Sequence, residues 1–104
     1  KMQLNLALNY GFKDELINSV KKVIKKKIPL TKKNIEKNLY TNDSPDPDIL
    51  IRTGNTQRLS NFLLWQLAYT EIFFIKKLWP DFSLKDYNLI LKKFSNIKRN
   101  FGSI

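Results

Sequence analysis

Two arginines and a serine, Arg52, Arg58 and Ser60, stand close together in one short polar stretch of this chain. The stretch follows residues 48–52, which read as a buried β-strand, and precedes residues 61–69, whose apolar pattern predicts a helix. An arginine guanidinium pairs with two phosphate oxygens at once, and a helix N-terminus adds free N–H groups and partial positive charge. The sequence therefore predicts a site for a phosphorylated ligand at the carboxyl end of a strand, where open α/β sheets bind ligands.

Simpler explanations exist for each of these residues. An arginine at a strand end usually forms a surface salt bridge, and Ser60 is by default the N-cap of the predicted helix. Three nearby aspartates resemble a metal cluster in composition: Asp43, Asp46 and Asp48. Because prolines separate them and their spacing is irregular, an ordinary polar loop is the favoured interpretation.

Short apolar runs separated by helical patterns surround this stretch. Strands are predicted at residues 3–10, 49–51 and 71–75. Helices are predicted at residues 14–27, 32–39 and 61–69 and after Ser83, which forms a capping-box pattern with Asp86. The order β-α-α-β-α-β-α predicts an α/β fold, a parallel β-sheet with helices on both faces.

Composition excludes several classes of function. The 104 residues suffice for one small domain or part of a larger one. The chain has no cysteine and no histidine, so disulfides, histidine-based triads and the usual zinc sites are excluded. A net charge of +10 suits a nucleic acid, membrane-surface or polyphosphate partner. Most basic residues are lysines on predicted helices, which favours a solvated surface: Lys21, Lys22, Lys25, Lys26 and Lys27 are examples.

Residues 52–66 read Arg-Thr-Gly-Asn-Thr-Gln-Arg-Leu-Ser-Asn-Phe-Leu-Leu-Trp-Gln. This string resembles the most recognisable C-terminal signature of the cis-prenyltransferases, the undecaprenyl diphosphate synthase family. Further resemblances follow in the family's order at residues 5–11, 71–74, 78–82 and 99–102. The resemblance implies that residues 1–104 are the C-terminal portion of a single cis-prenyltransferase domain, with a partial version of its α/β fold.

One family segment has no counterpart in this chain. Family members are about twice as long, and their N-terminal half carries a His-x-Met-Asp-Gly-Asn-x-Arg-Trp segment whose aspartate is central to catalysis. The chain contains no histidine and no matching Asp-Gly-Asn. We therefore expect a fragment, a processed piece or a partly determined protein, with no catalytic residue of its own and no activity when isolated.

The resemblance also implies a reaction. The family condenses isopentenyl diphosphate with an allylic diphosphate into a cis-polyprenyl diphosphate, here expected to be undecaprenyl diphosphate for cell-wall carriers, with Mg²⁺ as cofactor. Arg52, Arg58 and Ser60 match the residues that bind the isopentenyl diphosphate head. Glu71 matches the glutamate that helps hold Mg²⁺, although it is also the solvent end of an apolar run. A homodimer, a cytoplasmic location and membrane association through the product are implied as well.

Five positions depart from the family pattern. Phe12 and Lys13 replace a second glycine and an arginine after Tyr-Gly, and Asn55 and Thr56 stand where Gly-Glu is common. Asparagine adopts the left-handed backbone conformation more readily than most residues, so Asn55 is expected to serve in a glycine position. Asn100 stands where the C-terminal tail often has a second arginine.

Two alternatives stay open from sequence alone. A non-catalytic accessory subunit of a heteromeric cis-prenyltransferase would account for a chain that lacks the catalytic segment. A basic nucleic-acid-binding module would need aromatic and basic residues interleaved on an exposed surface, or a known reader motif. Neither is evident in the sequence, so no specific nucleic acid is expected as a partner.

Overall fold

Two compact units make up the described part of the chain, residues 1–103, in this computed structural model. The first unit consists of residues 1–45 and 60–65, and the second consists of residues 46–59 and the described residues from Gln66 onward. Within residues 1–103, none of the helices combines the length and the apolar character needed to cross a bilayer.

The first unit is built on two helices, α1 (Phe12–Lys25) and α2 (Lys32–Lys37). Acidic residues in the first turn of α1 and lysines in its last turn complement the helix dipole. The Thr31 hydroxyl accepts a hydrogen bond from the Asn34 N–H at 3.1 Å and so caps α2. Both helices lie close to the bounds that the sequence predicts.

A buried carboxylate organises the interior of this unit. Glu15 is fully buried; it accepts a short hydrogen bond from the Tyr10 hydroxyl and a second from the Tyr40 N–H at 2.7 Å. The Tyr10 ring also packs edge-on against Phe62, with ring centroids 5.7 Å apart. Phe12, at a position where the family usually has glycine, is buried in the same unit. This departure therefore supplies part of the core.

Burial and the neighbouring Glu15 carboxylate raise the pKa of Tyr10 above its ordinary value of about 10. The folded protein holds the Tyr10 proton more tightly than the unfolded chain does, so the protonated hydroxyl stabilises the fold. We therefore expect the free energy of unfolding to decrease as pH rises above about 10. Tyr10→Phe should flatten this dependence in denaturant titrations between pH 9 and 11. An unchanged alkaline slope in the variant would contradict the assignment to Tyr10.

The predicted strand at residues 3–10 is wrong. This segment forms no ladder with any other described residue, and its alternating apolar side chains are exposed. Met2, Leu4, Leu6 and Leu8 are 92%, 76%, 75% and 82% exposed. An apolar alternation specifies which face of a strand would be buried, but a strand also needs a neighbour to take its backbone hydrogen bonds. No such neighbour is present within residues 1–103.

The predicted helix at residues 61–69 is also wrong, because the chain forms a series of turns there. Ser60, Asn61 and Leu63 have φ angles of 50°, 64° and 45°. A right-handed helix needs φ near −63°, and the left-handed region costs most residues about 1–2 kcal/mol, with glycine free of this cost and asparagine less affected. Asn61 fixes the turn to the start of α1: its carbonyl accepts from the Phe12 N–H at 2.8 Å and its Oδ1 accepts from the Lys13 N–H at 3.0 Å.

The second unit contains a two-stranded parallel sheet followed by a helix. Strand β1 (Ile49–Arg52) pairs with β2 (Glu71–Phe74), with Ile49 opposite Glu71 and Arg52 opposite Phe74. After a short 3₁₀ turn at Trp79–Asp81, helix α3 (Leu84–Ser95) completes the unit. The predicted α/β fold with a parallel sheet is thus confirmed, with two strands in the described residues instead of three.

The capping box at the start of α3 is confirmed. Asp86 accepts hydrogen bonds from the Ser83 N–H at 2.9 Å and from the Lys77 ammonium at 3.0 Å, while the Ser83 hydroxyl accepts from the Asp86 N–H at 3.2 Å. Hydrogen bonds to the carboxylate, from the Ser83 N–H first and then from the Lys77 ammonium and the Ser83 hydroxyl, lower the pKa of Asp86 to about 2.

The folded protein favours the ionised form of Asp86 more than the unfolded chain does, so the ionised carboxylate stabilises the fold. The contribution of Asp86 should therefore be complete above about pH 4 and be lost as pH falls towards about 2. Asp86→Asn is expected to lower the melting temperature at neutral pH and to reduce the acid dependence between pH 4 and 2. Thermal unfolding of both proteins across this range tests it, and parallel curves would refute it.

Candidate functional site

Arg52 is the last residue of β1, as the sequence predicts. Its backbone carbonyl accepts from the Ile75 N–H at 2.8 Å, which extends the ladder one residue past the end of β2. Its Nε atom is buried and has no hydrogen-bond partner among residues 1–103. Leaving a buried donor unpaired costs about 1–3 kcal/mol, and more when the group is charged. An anionic ligand that accepted from this guanidinium would remove that cost.

The loop after Arg52 is anchored to the end of β2. The Gly54 N–H donates to the Lys77 carbonyl at 2.8 Å, and the Asn55 N–H donates to the Ile75 carbonyl at 3.0 Å. Both residues have positive φ, 88° for Gly54 and 56° for Asn55. The expectation that Asn55 adopts the left-handed conformation is confirmed. Two backbone hydrogen bonds therefore hold the first half of the loop in place beside Arg52.

Arg58 and Ser60 are both exposed, and they fall in different units. The Arg58 guanidinium forms no ion pair or hydrogen bond with another residue in the described part of the chain. Ser60 is not a helix N-cap, because its φ is 50° and turns follow it instead of a helix. The predicted contribution of a helix N-terminus to phosphate binding is therefore wrong, and the donors available are side chains and loop N–H groups.

Glu71 lies at the other end of the sheet from Arg52. It opens β2 opposite Ile49, whereas Arg52 closes β1 opposite Phe74. Three residues of strand separate the two positions, or about 10 Å along the chain direction. Since side chains alternate between faces, the register also directs Arg52 and Glu71 to opposite faces of the sheet. The structure does not bring these two predicted site residues together.

The half-buried Glu71 carboxylate has no hydrogen bond or ion pair with another residue of the segment 1–103. Nor do the described residues contain any group of three Asp, Glu, His or Cys side chains arranged for a metal ion. Mg²⁺ commonly takes one or two carboxylates, with water and substrate phosphates as its other ligands. Glu71 fits as one such ligand by its chemistry, but the register places it away from a diphosphate held by Arg52.

Arg99 is a residue whose environment the sequence did not predict. Its guanidinium donates to the Asp48 carboxylate at 2.6 Å and to the Tyr69 carbonyl at 3.0 Å. It also lies over the rings of Phe94 and Phe101, at 5.2 Å and 4.5 Å from their centroids. These contacts hold the C-terminal tail against the residue that precedes β1. The sequence drew attention to Arg99 only through the resemblance of residues 99–102 to the family's C-terminal tail, which specifies none of these contacts.

This chain belongs to the prenyltransferase family described as "Putative undecaprenyl diphosphate synthase", whose sequence profile matches residues 1–102. It is 45% identical over 109 aligned residues to the isoprenyl transferase of Thermotoga maritima, covering 100% of this chain and 47% of that protein. It is 47% identical over 102 residues to the isoprenyl transferase of Aquifex pyrophilus, covering 97% of this chain and 44% of that protein. The chain thus spans less than half the length of these relatives.

Solved structures agree with this assignment. A probable undecaprenyl diphosphate synthase from Campylobacter jejuni superposes with a TM-score of 0.88 at 44% identity, covering 95% of this chain and 47% of that one. A lavandulyl diphosphate synthase from Lavandula x intermedia, solved in complex with dimethylallyl diphosphate, gives a TM-score of 0.82 at 36% identity, covering 90% and 44%. The chain therefore has the fold of part of a cis-prenyltransferase, an enzyme family.

Proposed function

We propose that the protein condenses isopentenyl diphosphate with an allylic diphosphate to make a cis-polyprenyl diphosphate, and that this chain binds the isopentenyl diphosphate head. The observation that carries the proposal is the buried, unpaired Nε of Arg52 at the carboxyl end of β1. Membership of the family and the lavandulyl diphosphate synthase complex with dimethylallyl diphosphate support allylic diphosphates as the second substrate class.

The proposed roles follow from the chemistry of each side chain. The Arg52 guanidinium donates to no other described residue, so its N–H groups are available for two diphosphate oxygens. Arg58, exposed and unpaired in the same unit as Arg52, adds a second positive charge. The role of the Ser60 hydroxyl as a hydrogen-bond donor rests on the family pattern alone, because Ser60 belongs to the other unit. Holding the diphosphate still lets the homoallylic double bond attack the allylic carbon from a fixed position. The second contribution of the two arginines to catalysis is to neutralise negative charge on the diphosphate.

Magnesium belongs to the proposal with Glu71 as a carboxylate ligand from this chain. The cation would neutralise charge on diphosphate oxygens. Because Glu71 and Arg52 lie at opposite ends of β1 and β2, the proposal assigns them to separate tasks and derives no step that needs both. Calorimetric titration of Mg²⁺, in the absence of diphosphate, into the protein and into Glu71→Gln tests this assignment. The variant lacks one carboxylate ligand and should bind Mg²⁺ more weakly.

Finer features of the proposal come from the family. We infer that the product is undecaprenyl diphosphate, made in isoprenoid biosynthesis for cell-wall carriers. We also infer that the protein assembles as a homodimer. Its inferred location is the cytoplasm, with membrane association through its product. Product analysis by chromatography against polyprenyl standards and light scattering of the purified protein test the first two.

The 104-residue chain alone is expected not to elongate prenyl chains, because it lacks any Asp-Gly-Asn segment of the kind expected to carry the catalytic aspartate. Labelled isopentenyl diphosphate and an allylic diphosphate should yield polyprenyl product with the full-length protein and none with this chain. Turnover by the isolated chain would refute the expectation. If the full-length protein were also inactive alone but activated a second cis-prenyltransferase chain, the accessory-subunit function would replace the proposed one.

A further inference from the structure

A cavity of about 730 Å³ lies in the first unit, beside the residues that end α1 and α2. Four lysines line it, Lys22, Lys25 and Lys26 from the end of α1 and its cap and Lys37 from the end of α2. Among the described residues, the other side chains that line the cavity are Asn38, Leu39, Tyr40 and Asn42, and none of the lining residues is acidic. Nothing in the proposed reaction uses this cavity.

These lysines repel one another in the absence of an anion. Lys22 stands three residues before Lys25 and four before Lys26, so the three share one side of the helix end. The Lys26 ammonium donates to the Asn38 Oδ1 at 2.6 Å. The ammonium groups of Lys22, Lys25 and Lys37 form no hydrogen bond or ion pair in the described part of the chain. Three of the four positive charges are therefore unpaired.

Helix dipoles explain only part of this arrangement. Each helix C-terminus carries about half a negative charge, so two of them offset about one of the four positive charges. The lysines are not needed as caps either. The Lys22 carbonyl accepts from the Lys26 N–H at 2.9 Å, and the Lys37 carbonyl accepts from the Asn42 side-chain amide at 3.2 Å. A net charge of about +3 remains on the cavity wall.

We propose that this cavity binds a phosphate-bearing anion with at least two negative charges. Lysine ammonium groups act as compact point charges that suit phosphate oxygens. The cavity volume lies within the range of about 300–1,000 Å³ typical of small-molecule sites. The site is partly preorganised, because Asn38 is buried, donates to the Asn34 carbonyl at 2.7 Å and holds Lys26 in position. The phosphate can belong to a soluble compound or to a lipid headgroup.

Residue-resolved lysine labelling tests the proposal without interference from the diphosphate site at Arg52. The full-length protein is treated with an amine-acetylating reagent across a titration of inorganic pyrophosphate, and each lysine is quantified by mass spectrometry. Lys22, Lys25 and Lys37 should become protected along one saturable curve. Lys21 and Lys33, which do not line the cavity, should not follow that curve. Equal protection of all lysines would overturn the proposal, because it would indicate diffuse attraction to a basic surface.

A matched pair of double variants separates the cavity from net charge. Lys25→Gln with Lys37→Gln removes one cavity lysine from each helix, and Lys21→Gln with Lys33→Gln removes one lysine from each helix outside the cavity. The first pair should weaken saturable protection of Lys22 at least about tenfold, since two charge-assisted contacts are lost. The control should change it less than about twofold. Equal effects would overturn the proposal, and circular dichroism melts verify that both variants fold.

Two probes distinguish the sources of phosphate. Inorganic pyrophosphate represents soluble compounds, and vesicles of phosphatidylglycerol in phosphatidylcholine represent anionic lipid headgroups. Site-specific protection by pyrophosphate supports a soluble ligand. Protection of the cavity lysines by the anionic vesicles, with none from pyrophosphate or from pure phosphatidylcholine vesicles, supports a headgroup. Failure of both probes to protect these lysines would overturn the proposal and would leave the proposed transferase function untouched.

Discussion

Replacing Arg52 by alanine in the full-length protein is expected to lower kcat/KM for isopentenyl diphosphate at least about 100-fold. Two charge-assisted hydrogen bonds to a diphosphate are lost, each of about 1.5–3 kcal/mol, and 1.4 kcal/mol corresponds to a factor of ten. The loss should appear mainly in the KM for isopentenyl diphosphate, with little change in the KM for the allylic substrate. Steady-state kinetics with each substrate varied in turn measure both quantities.

Two further variants make the Arg52 result specific. Arg52→Lys keeps the charge but not the planar pair of donors, so it should recover only part of the lost affinity. Lys76→Ala removes an exposed positive charge just after β2 and should stay within about twofold of the parent protein. If Arg52→Ala raised both KM values equally, or matched Lys76→Ala, the assignment of Arg52 to the isopentenyl diphosphate head would be wrong.

Glu15→Ala is expected to lower the free energy of unfolding by about 2–5 kcal/mol. The substitution leaves the Tyr10 hydroxyl and the Tyr40 N–H without their acceptor in the interior, and each unpaired buried donor costs about 1–3 kcal/mol. Since proteins of this kind are stable by about 5–15 kcal/mol, the loss is a large fraction of the total. Urea or guanidinium titration of the full-length protein measures it.

The neighbouring acidic residue supplies the control for Glu15. Asp14 also lies in the first turn of α1 but is exposed, so Asp14→Ala should cost no more than about 1 kcal/mol through the helix dipole. Equal destabilisation by the two variants would show that Glu15 acts only through the helix and not through its buried hydrogen bonds.

The elements that sequence predicts best are those whose determinants are local. The capping box at Ser83 and the Thr31 cap depend on residues three positions apart, and both are present. Strands β1 and β2 were predicted from short apolar runs, and each pairs with the other inside one unit. The segment at residues 3–10 has an equally clear apolar pattern but no partner within the described chain, so periodicity alone could not decide its structure.

The sequence predicts which residues belong to the candidate site better than it predicts how they are arranged in space. Arg52 lies at the end of a strand because the apolar run that precedes it forms that strand. The separation of Arg52 from Glu71 was implicit in the sequence, since one closes a strand and the other opens the next in a parallel sheet. The Arg99 contact with Asp48 joins residues 51 positions apart, and no local pattern specifies such a pair.

The left-handed turn at Ser60, Asn61 and Leu63 narrows the set of amino acids that these positions accept without backbone strain. Positive φ favours glycine, asparagine and aspartate and disfavours β-branched residues, whatever ligand is bound. On the proposal that the Ser60 hydroxyl donates to a diphosphate, position 60 carries two requirements, one on backbone handedness and one on the hydroxyl group. Glycine would meet only the first, and threonine, which is β-branched, would meet the second at a greater backbone cost.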